Sequence, residues 1–512
     1  VALPPFKAAV EAGVATVMAS FNTVNGVPAH ANKQALTGIL HEEFDFDGFV
    51  VGDYNGVQEL IPHGVAADEA DAARLALGAG VDMEMVSTTY ADNGKELLEA
   101  GEIDLARLDD AVTRILRVKT RLGLFEKPYT DEDGQITRPT SEARRHAREA
   151  AADCAVLLKN EEGTLPFSEG TSSLAVIGPL GDDTQELHGT WAGPGAREFP
   201  AVSVLEGVKQ AAPDAKVTFA RGCGITGDDT RGFAKAVAAV RAADAAVVVV
   251  GEKASHSGEA AVRSDITLPG VQAELIRRVA GTGKPFVVVV LAGRPLVLSD
   301  IVEQSPAILN AWHPGLEGGN AIADVLFGKV NPGGKLPTNF PRAVGQLAEY
   351  YAHERTGRPY DPDNNYTSKY LDLPHGPLFP FGHGLSYTTF GFSQLALSEQ
   401  SVSAQAVREG TAKVEVTVKV ENTGRRAGDE VVQLYIRDKV ASLAQPVRRL
   451  RGFERIALKA GEQRTVAFEL GADDLGFHTN DPRGELLVEP GEFEIYAGAS
   501  SEAGLHRTLT LT

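Results

Sequence analysis

The sequence predicts a multidomain chain of α/β and β class, and three observations predict it. Strand-like and helix-like segments alternate in two separate stretches, a polar, turn-rich segment divides those stretches, and the end of the chain alternates apolar and polar residues with no helical period. At 512 residues the chain is also too long for one hydrophobic core.

In the first stretch, Thr16 to Ser20, Gly48 to Val51 and Val81 to Met85 read as buried strands. Helical pattern follows each, near Gln34 to Glu43, Ala67 to Gly78 and Asn93 to Ala100, which makes about three βα units. A helical period then runs from Asp104 to Leu122 and gives way to a linker within residues 126–140. From Ser141 a helix with apolar positions at Ala147, Ala151, Cys154 and Leu158 opens the second stretch. Valine-rich strands are expected at Leu174 to Ile177, Ala245 to Val250, Phe286 to Leu291 and Ile308 to Trp312. Helices are expected at Val204 to Gln210, Gly232 to Ala242, Val271 to Val279 and Asn320 to Phe327, so residues 141–344 predict an α/β sandwich with a mostly parallel sheet. A connector rich in Pro, Gly, Asn and Tyr occupies residues 345–392 and is too long for an ordinary loop, so it is packed or functional. Short strands in residues 393–512, among them Lys413 to Glu421, Val431 to Ile436, Thr465 to Leu470 and Gly491 to Tyr496, predict an immunoglobulin-like or fibronectin-like β-sandwich.

Composition narrows the function. The formal charge of −20, from 49 basic and 69 acidic residues, repels phosphate backbones and anionic lipid, so neither nucleic acid nor a membrane surface is the expected partner. The longest apolar runs are of strand length, not the length of a membrane span. Cys154 and Cys223 form no C-x-x-C pair and read as two buried free thiols, with a single disulfide between them as the alternative. The twelve histidines show no ligand spacing, so no metal and no cofactor is expected. Gly328 to Lys335 lacks the spacing of a phosphate loop, and Ser257 lacks the first glycine of a nucleophile elbow.

Two carboxylates stand out. The apolar run Phe49-Val50-Val51-Gly52 ends at Asp53 and Tyr54, and the carboxyl ends of parallel strands line the active-site crevice in α/β folds. Helix capping is an equally good reading of Asp53 from its position alone. Glu259 lies in Ser255-His-Ser-Gly-Glu-Ala-Ala-Val-Arg-Ser-Asp265, a loop leaving the strand that ends at Val250; an ordinary solvated glutamate is the expectation for such a position. Met83 and Met85 read as core residues, and the alternating Asp82 and Glu84 as acids on a rim.

Longer motifs then turn familiar. Ser20-Phe-Asn-Thr-Val-Asn-Gly-Val-Pro28, Phe46-Asp-Gly-Phe-Val-Val-Gly-Asp-Tyr54, Val156-Leu-Leu-Lys-Asn160, the run Trp312 to Gly328, Asn331-Pro-Gly-Gly-Lys-Leu-Pro337 and Phe379-Pro-Phe-Gly-His-Gly-Leu-Ser-Tyr387 occur in order. Together they resemble the family 3 glycoside hydrolases, specifically bacterial β-glucosidases with a fibronectin type III-like third domain. The resemblance implies that residues 1–125 are the C-terminal part of a (β/α)8 TIM-like barrel. It implies a retaining, exo-acting β-glucosidase with a β-glucoside or oligosaccharide as substrate, Asp53 as nucleophile and Glu259 as general acid/base. Such a pair sits roughly 5 to 5.5 Å apart, which raises the pKa of one carboxyl. Tyr54, Phe21, Met85 and Ser257 are the expected substrate contacts. Two departures accompany the likeness: Phe21 stands where many members carry a tyrosine that bonds the nucleophile, and Tyr54 where Trp is frequent.

A barrel needs eight βα units and about three precede the linker. The chain also opens on Val1 with no leader pattern. The expectation is therefore the C-terminal portion of a longer protein, or a companion chain that supplies the missing units; a homodimer is left open. A periplasmic or secreted location is favoured by the resemblance alone. The alternatives are a β-xylosidase or other exo-β-glycosidase, and a non-catalytic sugar-binding fragment.

Overall fold

A computed structural model of the protein describes residues 3–130, 138–168, 170–479 and 484–512. Residues 131–137 of the expected linker lie outside the described residues. Two compact units divide the chain between residues 137 and 138.

In the first unit, β1 (Thr16–Met18), β2 (Phe49–Tyr54) and β3 (Met83–Met85) form a parallel sheet with β2 in the middle. Only one face of β2 is fully covered within this unit: Val50 and Gly52 are buried, while Phe49 and Val51 on the other face are half-buried. Val50 is fully buried and packs with Leu36, Leu40, Phe46, Val57, Leu60, Ala72 and Ala76. Each fully buried Val or Leu contributes about 1.5–3 kcal/mol of transfer free energy. Three helical segments follow as expected, although Gln34–Glu43 is π-helical. The helix Leu105–Arg121 is amphipathic and starts at Asp104, whose carboxylate accepts from the Ala106 N–H at 2.9 Å.

Two readings of this unit need correction. Met83 is 39% exposed rather than core, because β3 is an edge strand with one uncovered face. Asp82 and Glu84 are not rim acids. Asp82 is buried, accepting from the Val50 N–H at 2.7 Å and pairing with Arg107 at 2.7 Å, so it ties two strands to a helix. Glu84 accepts from the backbone N–H groups of Thr89 and Tyr90 at 3.0 and 2.8 Å, meeting donors that the start of the helix Thr89–Glu99 leaves open.

The second unit holds a six-stranded sheet and a β-sandwich. Its strands β4 (Val156–Asn160), β5 (Ser173–Ile177), β6 (Lys216–Ala220), β7 (Ala245–Gly251), β8 (Phe286–Leu291) and β9 (Ala307–Asn310) lie in the order β4-β9-β8-β7-β5-β6. All pairs are parallel except β4 with β9. Every residue of β7 and β8 is buried, which is why both read as unbroken valine runs. Two apolar clusters, one on each face, take alternate residues of these strands: Val248, Val250, Val288 and Val290 on one, Val247, Val249, Val287 and Val289 on the other.

The helical period predicted through Leu158 stops at Cys154, and Val156–Asn160 becomes the antiparallel edge strand. Val156, Leu157 and Leu158 are all buried, and burial on two faces is what a helix with one apolar stripe cannot supply. With the helix cut short, Cys154 is exposed, contrary to its expected burial; Cys223 is buried and both thiols are free. Strand β6 has no counterpart in the sequence reading, since Lys216, Val217, Thr218 and Phe219 make a short half-covered edge.

The sandwich packs a three-stranded sheet, Phe390–Leu397, Val414–Asn422 and Gln463–Leu470, against a five-stranded one built around Gly428–Asp438 and Gly491–Gly498. Val414, Val416, Val418 and Val420 from the first meet Val432, Leu434, Ile436, Phe493 and Ile495 from the second. The connector before it is packed only in part: Tyr351 stacks on Phe381 with centroids 4.2 Å apart and both contact Tyr435, whereas Tyr366 and Leu371 are 78% and 98% exposed. No helix among the described residues is long and apolar enough to cross a membrane.

Candidate active site

Asp53 lies at the carboxyl end of the central strand β2, where the ladder to β3 breaks register. Val51 pairs with Met83 and Tyr54 with Met85, so Gly52 and Asp53 together oppose Glu84. Such a bulge re-aims a side chain at a strand end. The Asp53 carboxylate is half-buried, and its Oδ1 accepts from the Tyr54 N–H at 2.7 Å. It caps no helix. Asp68 serves the next one, accepting from the Asp71 N–H at 2.9 Å.

A residue that sequence reasoning missed holds this strand end. The Asp53 N–H donates to Nε2 of His30 at 3.0 Å, and His30 is only 2% exposed. Burial pushes the imidazole pKa below its ordinary 6.5, partly opposed by the Asp53 charge. A neutral ring with a free Nε2 lone pair is the form that can accept that bond. Gly56 leaves room for it: a Cβ there would sit 2.2 Å from His30 Nε2. A lone histidine after the turn Asn25-Gly26 gives no periodic signal, so only the fold connects it to Asp53.

Tyr54, 59% exposed, presents an aromatic face beside Asp53, and Met85 is its half-buried register partner on β3. Phe21 is half-buried and meets His30 with ring centroids 6.4 Å apart. It has no hydroxyl to offer; the Asp53 carboxylate accepts from the Tyr54 N–H, and the Asp53 N–H donates to His30. The structure thus gathers Asp53, Tyr54, Met85 and, through His30, Phe21 in the first unit.

Glu259 and Ser257 belong to the second unit, on the loop that leaves β7. Glu259 is exposed, and its carboxylate makes no hydrogen bond or ion pair with any described residue. Ser257 is half-buried at the end of a single 3-10 turn, Ala254–His256. The loop bends at Gly258, whose φ of +109° suits glycine and whose absent Cβ would meet Thr190 Cγ2 at 2.4 Å. Its start is tied to the 3-10 turn Glu186–His188 that follows β5, since the Ala254 N–H donates to Glu186 Oε2 at 2.6 Å. Glu252 and Arg263 of this loop and Arg294 beyond β8 form ion pairs that the sequence did not reveal, since in sequence they are ordinary charges. Among the described residues no group of three or more His, Cys, Asp or Glu side chains is placed to hold a metal ion.

Comparison with known proteins bears on what this arrangement does. Residues 1–118 match the glycosyl hydrolase family 3 N terminal domain, 155–387 the glycosyl hydrolase family 3 C-terminal domain, and 430–501 a fibronectin type III-like domain. A periplasmic β-glucosidase of Salmonella typhimurium is 43% identical over 528 aligned residues, covering 98% of this chain and 68% of that protein. A β-xylosidase of Formosa agariphila is 42% identical, covering 100% of this chain and 71% of that one. A solved β-glucosidase from Listeria innocua, crystallised with gluconolactone, superposes with a TM-score of 0.93 at 37% identity, over 99% of this chain and 69% of that structure. A strand-borne aspartate, a loop-borne glutamate and a terminal β-sandwich thus occur in a chain that belongs to glycoside hydrolase family 3 and is a glycoside hydrolase.

Proposed function

We propose that the chain is an exo-acting β-glucosidase that releases terminal non-reducing β-D-glucose with retention of configuration. Asp53 is the nucleophile and Glu259 the general acid/base. The observation that carries this reading is the contrast in how the two carboxylates are presented. Asp53 is fixed on a bulged strand end beside an exposed aromatic, as a group that must attack one carbon requires. Glu259 stands free on a solvent-facing loop, as a group that must give a proton to the leaving oxygen and later take one from water requires.

In the first step the ionised Asp53 attacks the anomeric carbon while Glu259 protonates the departing oxygen, which leaves a covalent glycosyl-enzyme. In the second, Glu259 removes a proton from water, the water oxygen attacks the same carbon, and Asp53 departs as a carboxylate. Tyr54 offers a ring face for an apolar sugar face. Met85, Ser257 and Phe21 remain proposed substrate contacts. The three βα units are read as part of a TIM-like barrel, and a periplasmic or secreted location follows the name of the Salmonella relative.

The test is stereochemical and kinetic. Proton NMR of early product is expected to show the β-anomer of glucose, and kcat/KM is expected to favour a β-glucoside over the matching β-xyloside. A second reading, β-xylosidase, is favoured by the 42% identity to the Formosa protein. A higher kcat/KM on the xyloside would establish it instead, and the α-anomer as first product would overturn retention under either reading.

A further inference from the structure

The loop that bears Glu259 has no core of its own. Between β7 and the helix Gln272–Ala280 its only regular element up to Glu259 is one 3-10 turn, and Val262 beside its tip is 90% exposed. Such a segment pays backbone entropy for each residue it orders and gains little apolar burial in return. Its neck is nevertheless held by a buried charge network.

Glu252, the first residue beyond β7, is fully buried. Its carboxylate pairs with Arg263 Nη1, on the far limb of the same loop, and with Arg294 Nε at 3.1 Å, from the segment that follows the neighbouring strand β8. A lone carboxylate at that depth would be strongly destabilising; two guanidinium groups with charge-assisted hydrogen bonds offset the desolvation. The arginines have donors to spare. Arg294 Nη2 donates to the carbonyl of His256 and, at 3.3 Å, to that of Ala261. Arg263 directs Nη1 and Nη2 at the Thr267 carbonyl, at 3.3 and 3.4 Å. The two carbonyls that Arg294 joins stand on either side of Glu259 in the chain, so one guanidinium draws the limbs of the loop together behind it.

We infer that Arg294, oriented by Glu252 and supported by Arg263, is a positioning residue for the general acid/base: it fixes where the Glu259 carboxyl stands when it protonates the leaving oxygen. The inference rests on the role proposed for Glu259. A displacement of about 1 Å in such a group costs roughly 10²-fold in rate. That loss falls on substrates whose leaving group needs the proton and spares those whose leaving group does not. A network that only kept the protein folded would lower every substrate alike.

The experiment uses the whole chain and a series of aryl β-glucosides, from dinitrophenyl to unsubstituted phenyl, together with cellobiose. Arg294→Met keeps the aliphatic stem and removes the bonds to both carbonyls. It is expected to lower kcat/KM on phenyl glucoside and cellobiose about 10- to 100-fold and on the dinitrophenyl glucoside less than about threefold, steepening the dependence on leaving-group pKa. Arg294→Lys, which keeps the charge on a shorter reach, is expected to recover part of the loss and also reports if the methionine variant fails to fold. Adding Arg294→Met to Glu259→Ala is expected to cost nothing further on poor leaving groups. Equal loss across the series in both Arg294 variants, or no loss, overturns the inference. A flat profile for Glu259→Ala overturns the acid/base reading itself; a steep profile for Glu259→Ala beside a flat one for Arg294→Met overturns only the positioning role.

Discussion

The strand end in the first unit and the loop in the second solve the same problem, the presentation of one carboxylate, by opposite means. Asp53 is placed by local backbone: a β-bulge, a bond from the next N–H, and a neutral histidine gripping its own N–H. Glu259 has no such local hold: Arg294 bonds carbonyls before and after it in the chain, and its own carboxyl is left free. The difference matches the roles proposed for the two groups. A nucleophile moves little between attack and departure, whereas an acid/base exchanges protons with both leaving group and water and works from a solvated position.

The contrast is broken most severely at its chemical ends. Asp53→Asn is expected to lower kcat on every substrate by on the order of 10⁴-fold or more, as loss of a covalent nucleophile does. Steady-state assays with both dinitrophenyl glucoside and cellobiose measure it, and more than a few per cent of wild-type turnover on either would remove Asp53 from the mechanism. Glu259→Gln comes next. An expected loss of about 10²- to 10⁴-fold on cellobiose should accompany a far smaller loss on the dinitrophenyl glucoside.

Glycine substitutions sharpen the comparison without touching either acid. Gly56→Ala drives a Cβ into His30 and should shift the ring that holds the Asp53 N–H. The expected result is a uniform fall in kcat across leaving groups with a destabilisation of about 1–3 kcal/mol, read by urea unfolding. Gly258→Ala strains a left-handed residue against Thr190 in the Glu259 loop, so its loss should grade with leaving-group pKa instead. Interchanged profiles would contradict the assignment of the two carboxylates.

The smallest expected effect is on pH and stability. Burial holds His30 and His41 in the first unit, and His256, His313 and His383 in the second, below the ordinary histidine pKa of 6.5. The unfolded chain therefore binds protons that the folded one refuses. Unfolding free energy should be at its full value above about pH 6.5 and fall as pH drops through that value toward the depressed folded pKa values. Urea titrations from pH 7.5 to 5 measure the slope, and His30→Gln should remove only the part that His30 contributes. A slope of opposite sign would mean that these rings are charged in the folded protein.

Most of the order of elements and the buried valine strands could be read from the chain alone, and both proposed carboxylates were named there through the family resemblance. β7 and β8 announce themselves because a parallel strand covered on both faces has no polar positions to spare. Each of Asp53 and Glu259 follows an apolar strand, but that position left a helix cap or a solvated glutamate as good a reading, and only the resemblance to the family singled them out. What the chain could not reveal is which residues hold them. His30 meets Asp53 across 23 positions and Arg294 meets Glu252 across 42, separations at which no period or motif carries information. The same holds for the mistaken edges: Val156–Asn160 is a strand because β9 lies beside it, and Met83 is exposed because β3 pairs with β2 on one side and with no described strand on the other. Local pattern is set by the short-range need to bury one face of an element. Hydrogen bonds and ion pairs between distant segments exist only once packing has brought them within about 3 Å, and that distance belongs to the tertiary structure.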